Sequence, residues 1–448
     1  MKLPWHSFHF VGMGGIGMSG LAEILLELGY KVSGSDINDN ALLRRLSNKG
    51  SKVYIGHRAE QINDAEVVIF SSAIKQDNPE IIAARKKNLL ILSRGELLAL
   101  LMSQKRGIAI AGTHGKTTTS AMIATILEKA GFSPTVIIGG RMNGNGLNAW
   151  LGKGEFLIAE ADESDESFLL LEPEIAVVTN IDADHLDHYS DIKAIEIAFA
   201  KFLEKVKNTA IICEDDERLR NIKKNLNIQI LTYGFSNSQF EARNLKLGAT
   251  PVFDLYFQNK KIKKIFLPLP GKHNVSNALA ALAVAYALNI ELEIAIAGLE
   301  EFKGVGRRME IKGEKNGIII VDDYAHHPAE IKVLLSAIRQ KWPNRRIVTI
   351  FQPHRYSRTK ALYESFLSAF NETDELILTE IYSAGETPIP EISGEKLAKG
   401  IAQYRTVYYF PDFNNILDKL PFILKPGDIL LTVGAGNIWQ VGEMFLKQ

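Results

Sequence analysis

With a single cysteine, Cys213, among its 448 residues, the chain can form no internal disulfide. That usage fits a reducing compartment, and a cytoplasmic location is expected. There is no excess charge of either sign, because Lys+Arg and Asp+Glu both total 52. A general electrostatic attraction to nucleic acid or acidic membranes is therefore not expected. No run approaches eighteen uninterrupted apolar residues, which disfavours a transmembrane helix. The first 22 residues are fairly apolar and begin with a lysine, as a secretory leader would. His6 and His9 interrupt them, however, and no small-residue cleavage site precedes Glu23. Zinc signatures are missing as well: neither HExxH nor CxxC occurs, and the adjacent His326 and His327 rarely both point inward.

What is present is ordinary globular composition, 46% apolar and 23% charged, in a chain long enough for about three domains at roughly 150 residues each. The pattern reads as three α/β blocks. Residues 1–106 open with HSFHFVG as a strand, a glycine loop and the helix-like GMSGLAEILLELG. Four further short strands follow, alternating with helical segments, so a parallel Rossmann-like sheet is expected. Residues 107–312 restart with RGIAIAG, the loop GTHGKTTT and a helix ended by Gly131. Between about Gln229 and Pro270 the runs become shorter and β-like, with a hairpin expected around Gln258 to Lys261, and form a β insert or small extra sheet. Residues 313–448 alternate again in a Rossmann-like manner, interrupted by the Pro-rich surface loop between Thr387 and Lys396.

The strongest chemical signal is Gly112-Thr113-His114-Gly115-Lys116-Thr117 between a strand and a helix. Glycines let backbone N–H groups turn toward phosphate oxygens, the helix N-terminus adds its positive end, Lys116 supplies charge and Thr117 can hold Mg²⁺. Ile110 replaces the first glycine of the full phosphate-loop pattern, so a tight turn with a surface lysine is the plainer alternative. Acids follow the next two strands, in Glu160-Ala-Asp-Glu-Ser and in Thr179-Asn-Ile-Asp-Ala-Asp-His185. In a parallel sheet those strand ends open on the same side as the phosphate loop. The spacing of Gly12, Gly14, Gly15 and Gly17, with Asp36 ending the second strand, suits a dinucleotide or a sugar nucleotide equally. Polar clusters lie at 322–328 and 354–359, where Arg355 and Arg358 favour carboxylate or phosphate. Arg307 and Arg308 form a linker pair whose role the sequence leaves open.

Taken in order, GTHGKTTT, EADESD with DADH, GKHNVSNALAA, GVGRRME, DDYAHHP and FQPHRYSRT resemble the Mur ligase superfamily over nearly the whole length. The opening GMGGIGMSGLA, the histidine in GTHGK, and HRYSRT with AGETPIP are similar to the branch that adds L-alanine to UDP-N-acetylmuramate. The resemblance implies a three-domain α/β fold and an ATP- and Mg²⁺-dependent ligase of peptidoglycan synthesis. It implies that the loop from Gly112 to Thr118 binds ATP, with Lys116 on the β/γ-phosphates, and that Thr117, Glu160 and His185 hold metal. His273, Asn274 and Asn277 would lie near adenine, Asp323 at the ribose, and Arg308 would reach the phosphates. His354, Arg355 and Arg358 would hold the L-alanine carboxylate and neighbouring groups, with Tyr324 and His326 beside them. Gly12, Gly14, Gly15, Gly17, Asp36, Ser71 and Ser72 would bind the sugar nucleotide. Several relatives carry a carbamylated lysine fourteen residues after the metal histidine; Phe199 stands there, as the alanine-adding branch leads one to expect. The alternatives are a peptide-recycling or folate-glutamylating ligase of the same superfamily, a nicotinamide-dependent oxidoreductase, or a non-catalytic nucleotide-binding module. A monomer or a homodimer is expected on base rates.

Overall fold

The computed structural model describes residues 1–144, 146–183 and 189–448. Its three sheets fall into two compact units, the first comprising Met1–Asn244, Phe253–Ile265 and Ser276–Lys303, the second Leu245–Val252, Phe266–Val275 and Gly304–Gln448.

Five parallel strands make the N-terminal sheet of the first unit, with Ser7–Val11 at its centre between Lys31–Asp36 and Val67–Phe70. The outer strands are Lys52–Ile55 and Leu90–Ser93. This is one half of a dinucleotide-type arrangement, whose loops at the carboxyl ends of the strands are the usual ligand positions. The second sheet is built around Arg106–Ala111, flanked in parallel by Phe156–Glu160 and Ile175–Val178. The two sheets share one unit because close-approach residues line their meeting. A Cβ on Gly20, in the helix Ile16–Glu27, would stand 3.1 Å from the Ala149 Cβ. Asn148 Nδ2 donates to the Ile16 carbonyl at 2.9 Å, and Leu151 N–H to the Glu27 carboxylate at 3.0 Å.

The β-type runs after residue 228 join the central sheet instead of standing apart as a small sheet. Gln229–Gly234 pairs in parallel with Thr209–Cys213 over five residues, and Phe240–Lys246, Val252–Phe257 and Lys260–Phe266 continue outward to the edge. The correction has a simple cause: alternation along a strand says which faces are buried, not which neighbour receives its hydrogen bonds. The expected hairpin is present as a two-residue turn, with Gln258 at φ 47° and Asn259 at φ 66°, the left-handed pair that matches strand twist.

In the second unit, the parallel strands Ile318–Asp323, Ile429–Val433, Ile347–Phe351, Glu375–Leu378 and Val407–Tyr409 form a sheet with Glu310–Lys315 added antiparallel at one edge. Both faces are covered. Ile347 and Phe351 pack into one buried cluster with Leu335 and Phe370, while Val348 and Ile350 pack into the other with Ile416 and Val441. Strands buried on both sides read as continuous apolar runs, as IVTIF does. The Pro-rich loop ends at Ser393, whose hydroxyl accepts the Lys396 N–H at 3.1 Å and caps the helix Gly394–Ile401.

Candidate active site

The phosphate-type loop is short because the strand before it runs on through Ile110 and Ala111, leaving four residues before the helix Lys116–Lys129. Gly112 at φ 126° and Gly115 at φ 87° occupy backbone regions that favour glycine. Neither has room for a side chain: a Cβ on Gly112 would collide with the Thr179 hydroxyl, and one on Gly115 would lie 2.6 Å from Asn277 Oδ1. The segment after Ile175–Val178 cradles the loop. The Thr113 N–H donates to the Asn180 carbonyl at 3.1 Å and the His114 N–H to Asn180 Oδ1 at 2.9 Å. Asn180 Nδ2 and the Thr179 hydroxyl donate to the His114 carbonyl at 2.9 and 2.6 Å, and the Asp182 N–H to the Thr113 hydroxyl at 2.9 Å. Thr117 and Thr118 are buried in the first helical turn.

Acids converge on this loop. Lys116 Nζ lies 2.7 and 2.8 Å from the two oxygens of Glu163 and donates to the Gly112 carbonyl at 2.6 Å. Burial alone would lower the lysine pKa, but the charges of Glu163, Asp162 and Glu160 outweigh it, so the ammonium form is reinforced. Burial pushes the Glu163 carboxyl up to about 7 against the pull of Lys116. Asp162 is held below its ordinary value, because Arg94 and Lys116 together overcome its desolvation. Arg94 Nη2 reaches Asp162 at 3.4 Å and Ser167 Oγ at 3.1 Å. Glu160, at the end of its strand, accepts the Gly139 N–H at 2.6 Å. These are hard oxygen donors beside a lysine-bearing loop, the donor set that suits Mg²⁺ rather than a soft metal. His185 lies outside the described residues.

In the N-terminal sheet, the Gly12 and Met13 N–H groups both donate to the Ser35 carbonyl at 2.9 Å. Asp36 Oδ2 accepts the Gly14 N–H at 2.8 Å, and Asn40 Nδ2 donates to the Gly14 carbonyl at 3.2 Å. A Cβ on Gly14 would fall 2.5 Å from Asn40 Nδ2 and 2.8 Å from Asp36 Oδ2, so the loop is gripped from both sides. Gly15 precedes the helix as its N-cap, and a Cβ on Gly17 would meet the Arg94 side chain at 3.2 Å. Ser71 stands beside Gly12, where a Cβ would come within 3.2 Å of it, and its hydroxyl accepts the Ala73 N–H at 3.4 Å. Glycine loop, Asp36 and the 71–73 turn thus form one group.

The second unit gathers the remaining candidates. Asp323 ends a strand and accepts the Met309 N–H at 2.7 Å and the Ala325 N–H at 2.8 Å. Burial lifts its carboxyl to about 6, opposed by Arg308. Burial and then the Arg308 charge depress His273 to about 4, leaving a neutral ring. Asn274 Nδ2 donates to the Pro270 carbonyl at 2.7 Å. Both linker arginines lie over the Tyr324 ring, at 5.1 Å for Arg307 and 5.3 Å for Arg308. Arg307 in addition pairs with Asp322 at 2.9 Å and donates to the carbonyls of Gly434 and Gly436, a fastening role. His326 stands edge-on to Tyr324, with ring centres 5.4 Å apart, and 5.9 Å from His354. His354 stacks on Tyr382 at 5.6 Å and contacts Arg358 Nη1 at 3.3 Å. Burial, then His326, Arg358 and Arg355, depress its ring to about 3. Arg355 holds φ 70°, pinned by its N–H to the Tyr382 carbonyl at 2.8 Å, a strained non-glycine residue of the kind that clusters at functional sites. His327 caps the helix Pro328–Lys341, accepting the Ala329 N–H at 3.3 Å.

Three family models match in order: the Mur ligase family catalytic domain at 7–106, the Mur ligase middle domain at 110–285 and the Mur ligase glutamate ligase domain at 307–436. A UDP-N-acetylmuramate–L-alanine ligase of Solidesulfovibrio magneticus is 51% identical over 452 residues, covering 100% of this chain and 99% of the relative. The chain belongs to the Mur ligase family. Among solved structures, this Mur ligase is similar to the UDP-N-acetylmuramate-alanine ligase of Thermotoga maritima, with a TM-score of 0.86, 31% identity and 98% of each chain covered. A murein peptide ligase of Psychrobacter arcticus shares the fold, with a TM-score of 0.75 at 24% identity and 98% of each chain covered. The mixed α/β architecture expected from the sequence is borne out.

Several residues that shape this Mur ligase's site carry no sequence signal. Arg94 and Gly139 stand in no motif, Asn180 is passed over inside a run noticed for its acids, and Glu163 is one acid among several in its run. Phe199, at the position of the modified lysine of some relatives, is fully buried against Phe168 at 5.2 Å, so its place is part of the core.

Proposed function

We infer that this chain is an ATP-dependent carboxylate–amine ligase that joins L-alanine to the lactyl carboxylate of UDP-N-acetylmuramate, a step of peptidoglycan synthesis, in the cytoplasm. Residues 1–106 take the sugar nucleotide, 107–312 ATP, and 313–448 the amino acid. The observation that carries this reading is the likeness at 51% identity to an alanine-adding ligase along the entire chain. Among the described residues, no helix is long and apolar enough to cross a membrane.

A carboxylate is a poor acyl donor, so its oxygen first attacks the γ-phosphorus of ATP, ADP leaves and an acyl phosphate forms. Lys116 and the N–H groups at its helix start bind the phosphates and offset the charge that develops there. Thr117, Glu160 and His185 are the residues that would hold Mg²⁺, which when bound screens phosphate charge. By the family resemblance, Arg308 would reach the phosphates, Asp323 would lie at the ribose, and His273, Asn274 and Asn277 would lie near the adenine. The carboxylate of L-alanine is held by Arg355 and Arg358, whose guanidinium forks suit it, with His354, Tyr324 and His326 beside it. That fixes the amine for attack on the acyl carbon, after which the tetrahedral intermediate expels phosphate and leaves the amide. Asp36 and Asn40 shape the Gly12 to Gly17 loop for the sugar nucleotide, beside Ser71 and Ser72.

The test is phosphate release with ATP, Mg²⁺ and UDP-N-acetylmuramate, adding L-alanine, glycine, a tripeptide or nothing, with the product mass measured. A single-alanine adduct is expected. Turnover with tripeptide alone would move the chain to peptide recycling, and no turnover would overturn the ligase reading.

A further inference from the structure

Glu163 has no part in the chemistry above, yet it is among the most buried carboxylates of the first unit, with its side chain 2% exposed. It is firmly placed. The Tyr189 hydroxyl donates to its carbonyl at 2.7 Å, and Arg94 holds the neighbouring Asp162. An ammonium group offers three donors. Those of Lys116 meet Glu163 Oε1 at 2.7 Å, Glu163 Oε2 at 2.8 Å and the Gly112 carbonyl at 2.6 Å, with the Thr113 carbonyl a longer fourth acceptor at 3.4 Å. A phosphate oxygen can therefore reach Lys116 only by displacing one of these acceptors. The Gly112 carbonyl is a neutral loop group, while Glu163 is a negative charge that would face the incoming phosphates. A buried carboxylate that loses its cation is strongly disfavoured, so the exchange opposes nucleotide binding.

We propose that Glu163 is a latch on the phosphate-loop lysine: in the nucleotide-free chain it occupies the ammonium that a triphosphate must take over, and so it weakens binding and speeds release of ATP and ADP. This rests on the reading of Lys116 as the phosphate ligand. Glu163 acts through Lys116 and is a positioning residue. Its carboxylate keeps the lysine charged and in place between turnovers, at the expense of affinity.

The test is direct titration of full-length protein with fluorescent ADP and with AMP, without added divalent cation. E163Q keeps the shape and one acceptor but removes the charge. It should bind ADP at least about tenfold more tightly, the scale of one desolvated ion pair, with slower ADP release. AMP lacks the phosphates that Lys116 would hold, so its affinity should change little; a merely disturbed loop would alter both. A melting curve verifies that the variant folds, and if it does not, E163D, which shortens the reach, is read the same way with a smaller gain. ADP affinity that is unchanged or weaker in the folded variant, while K116A still loses ADP binding, overturns the latch. If K116A binds ADP as the parent does, the reading of Lys116 as phosphate ligand fails instead.

Discussion

Replacing Gly139 by alanine should damage the proposed cation site while leaving the fold nearly intact. Gly139 follows the strand Thr135–Ile137 and is not among the residues with positive φ, so its backbone tolerates a side chain. The obstacle is Glu160. A Cβ on Gly139 would stand 2.8 Å from Glu160 Oε2, inside the 3.0 Å that real contacts respect, and the Gly139 N–H donates to Oε1 at 2.6 Å. The carboxylate must swing away and that bond is lost. Losing a hydrogen bond to a charged acceptor costs about 1.5–3 kcal/mol, and the glycine-to-alanine gain of about 0.4–1 kcal/mol offsets part of it, so a net destabilisation of about 1–2 kcal/mol is expected. Disturbing a group that orients a metal ligand typically weakens metal affinity by about 10–100-fold. The assay is phosphate release at saturating ATP, UDP-N-acetylmuramate and L-alanine as Mg²⁺ is varied. Half-saturation should move up by that factor, with kcat recovered within a few-fold at high Mg²⁺. An unchanged half-saturation point in a folded G139A protein would refute the role given to Glu160.

G14A should raise the KM for UDP-N-acetylmuramate by on the order of tenfold, because its Cβ drives Asp36 and Asn40 from the glycine loop at roughly the cost of one or two hydrogen bonds; an unchanged KM would remove that loop from the sugar-nucleotide site. The linker arginines should separate in opposite directions. R307A leaves the buried Asp322 without its paired cation and should destabilise the second unit by about 3–5 kcal/mol, seen in urea unfolding, whereas R308A, which removes a more distant charge near Asp323, should cost clearly less stability and lose activity with ATP. Equal loss of stability in both would contradict the division. For His354, a ring depressed from 6.5 to about 3 means that between those values the unfolded chain binds a proton the folded chain refuses. Stability therefore rises with pH across that window, and H354Q should flatten the rise by up to about 1.4 kcal/mol per pH unit. Urea midpoints at pH 5 and 6.5 with the same slope in both proteins would refute this.

The sequence made visible what is local. The strand, glycine loop and helix around Gly12 and around Gly112, the 258–259 turn and the Pro-rich loop all announce themselves in residue types at fixed spacing, because backbone conformation there depends on a few neighbours. What stayed hidden is partnership across distance. Nothing in the run from Glu160 to Glu166 distinguishes the carboxylate that meets Lys116 from the one that meets Gly139, since that choice is made by how far each lies beyond its strand. Arg307 and Arg308 are likewise equivalent as letters, and only in the fold, with Arg307 at φ 57°, does one of them gain the pairing with Asp322. The strands after residue 228 show the same limit at larger scale.

Arg307 also has a topological consequence. It sits where the chain enters the second unit, and it grips carbonyls of Gly434 and Gly436, just beyond the last strand of that unit's sheet. Beginning and end are buckled together by one side chain, and Lys315 adds a second clasp on the Phe445 carbonyl at 2.9 Å. An excised piece starting at Gly304 would carry its own buckle. One starting at Glu310 would be an open loop with a buried, uncompensated Asp322, so the natural seam of this half of the molecule lies before the arginine pair and not after it.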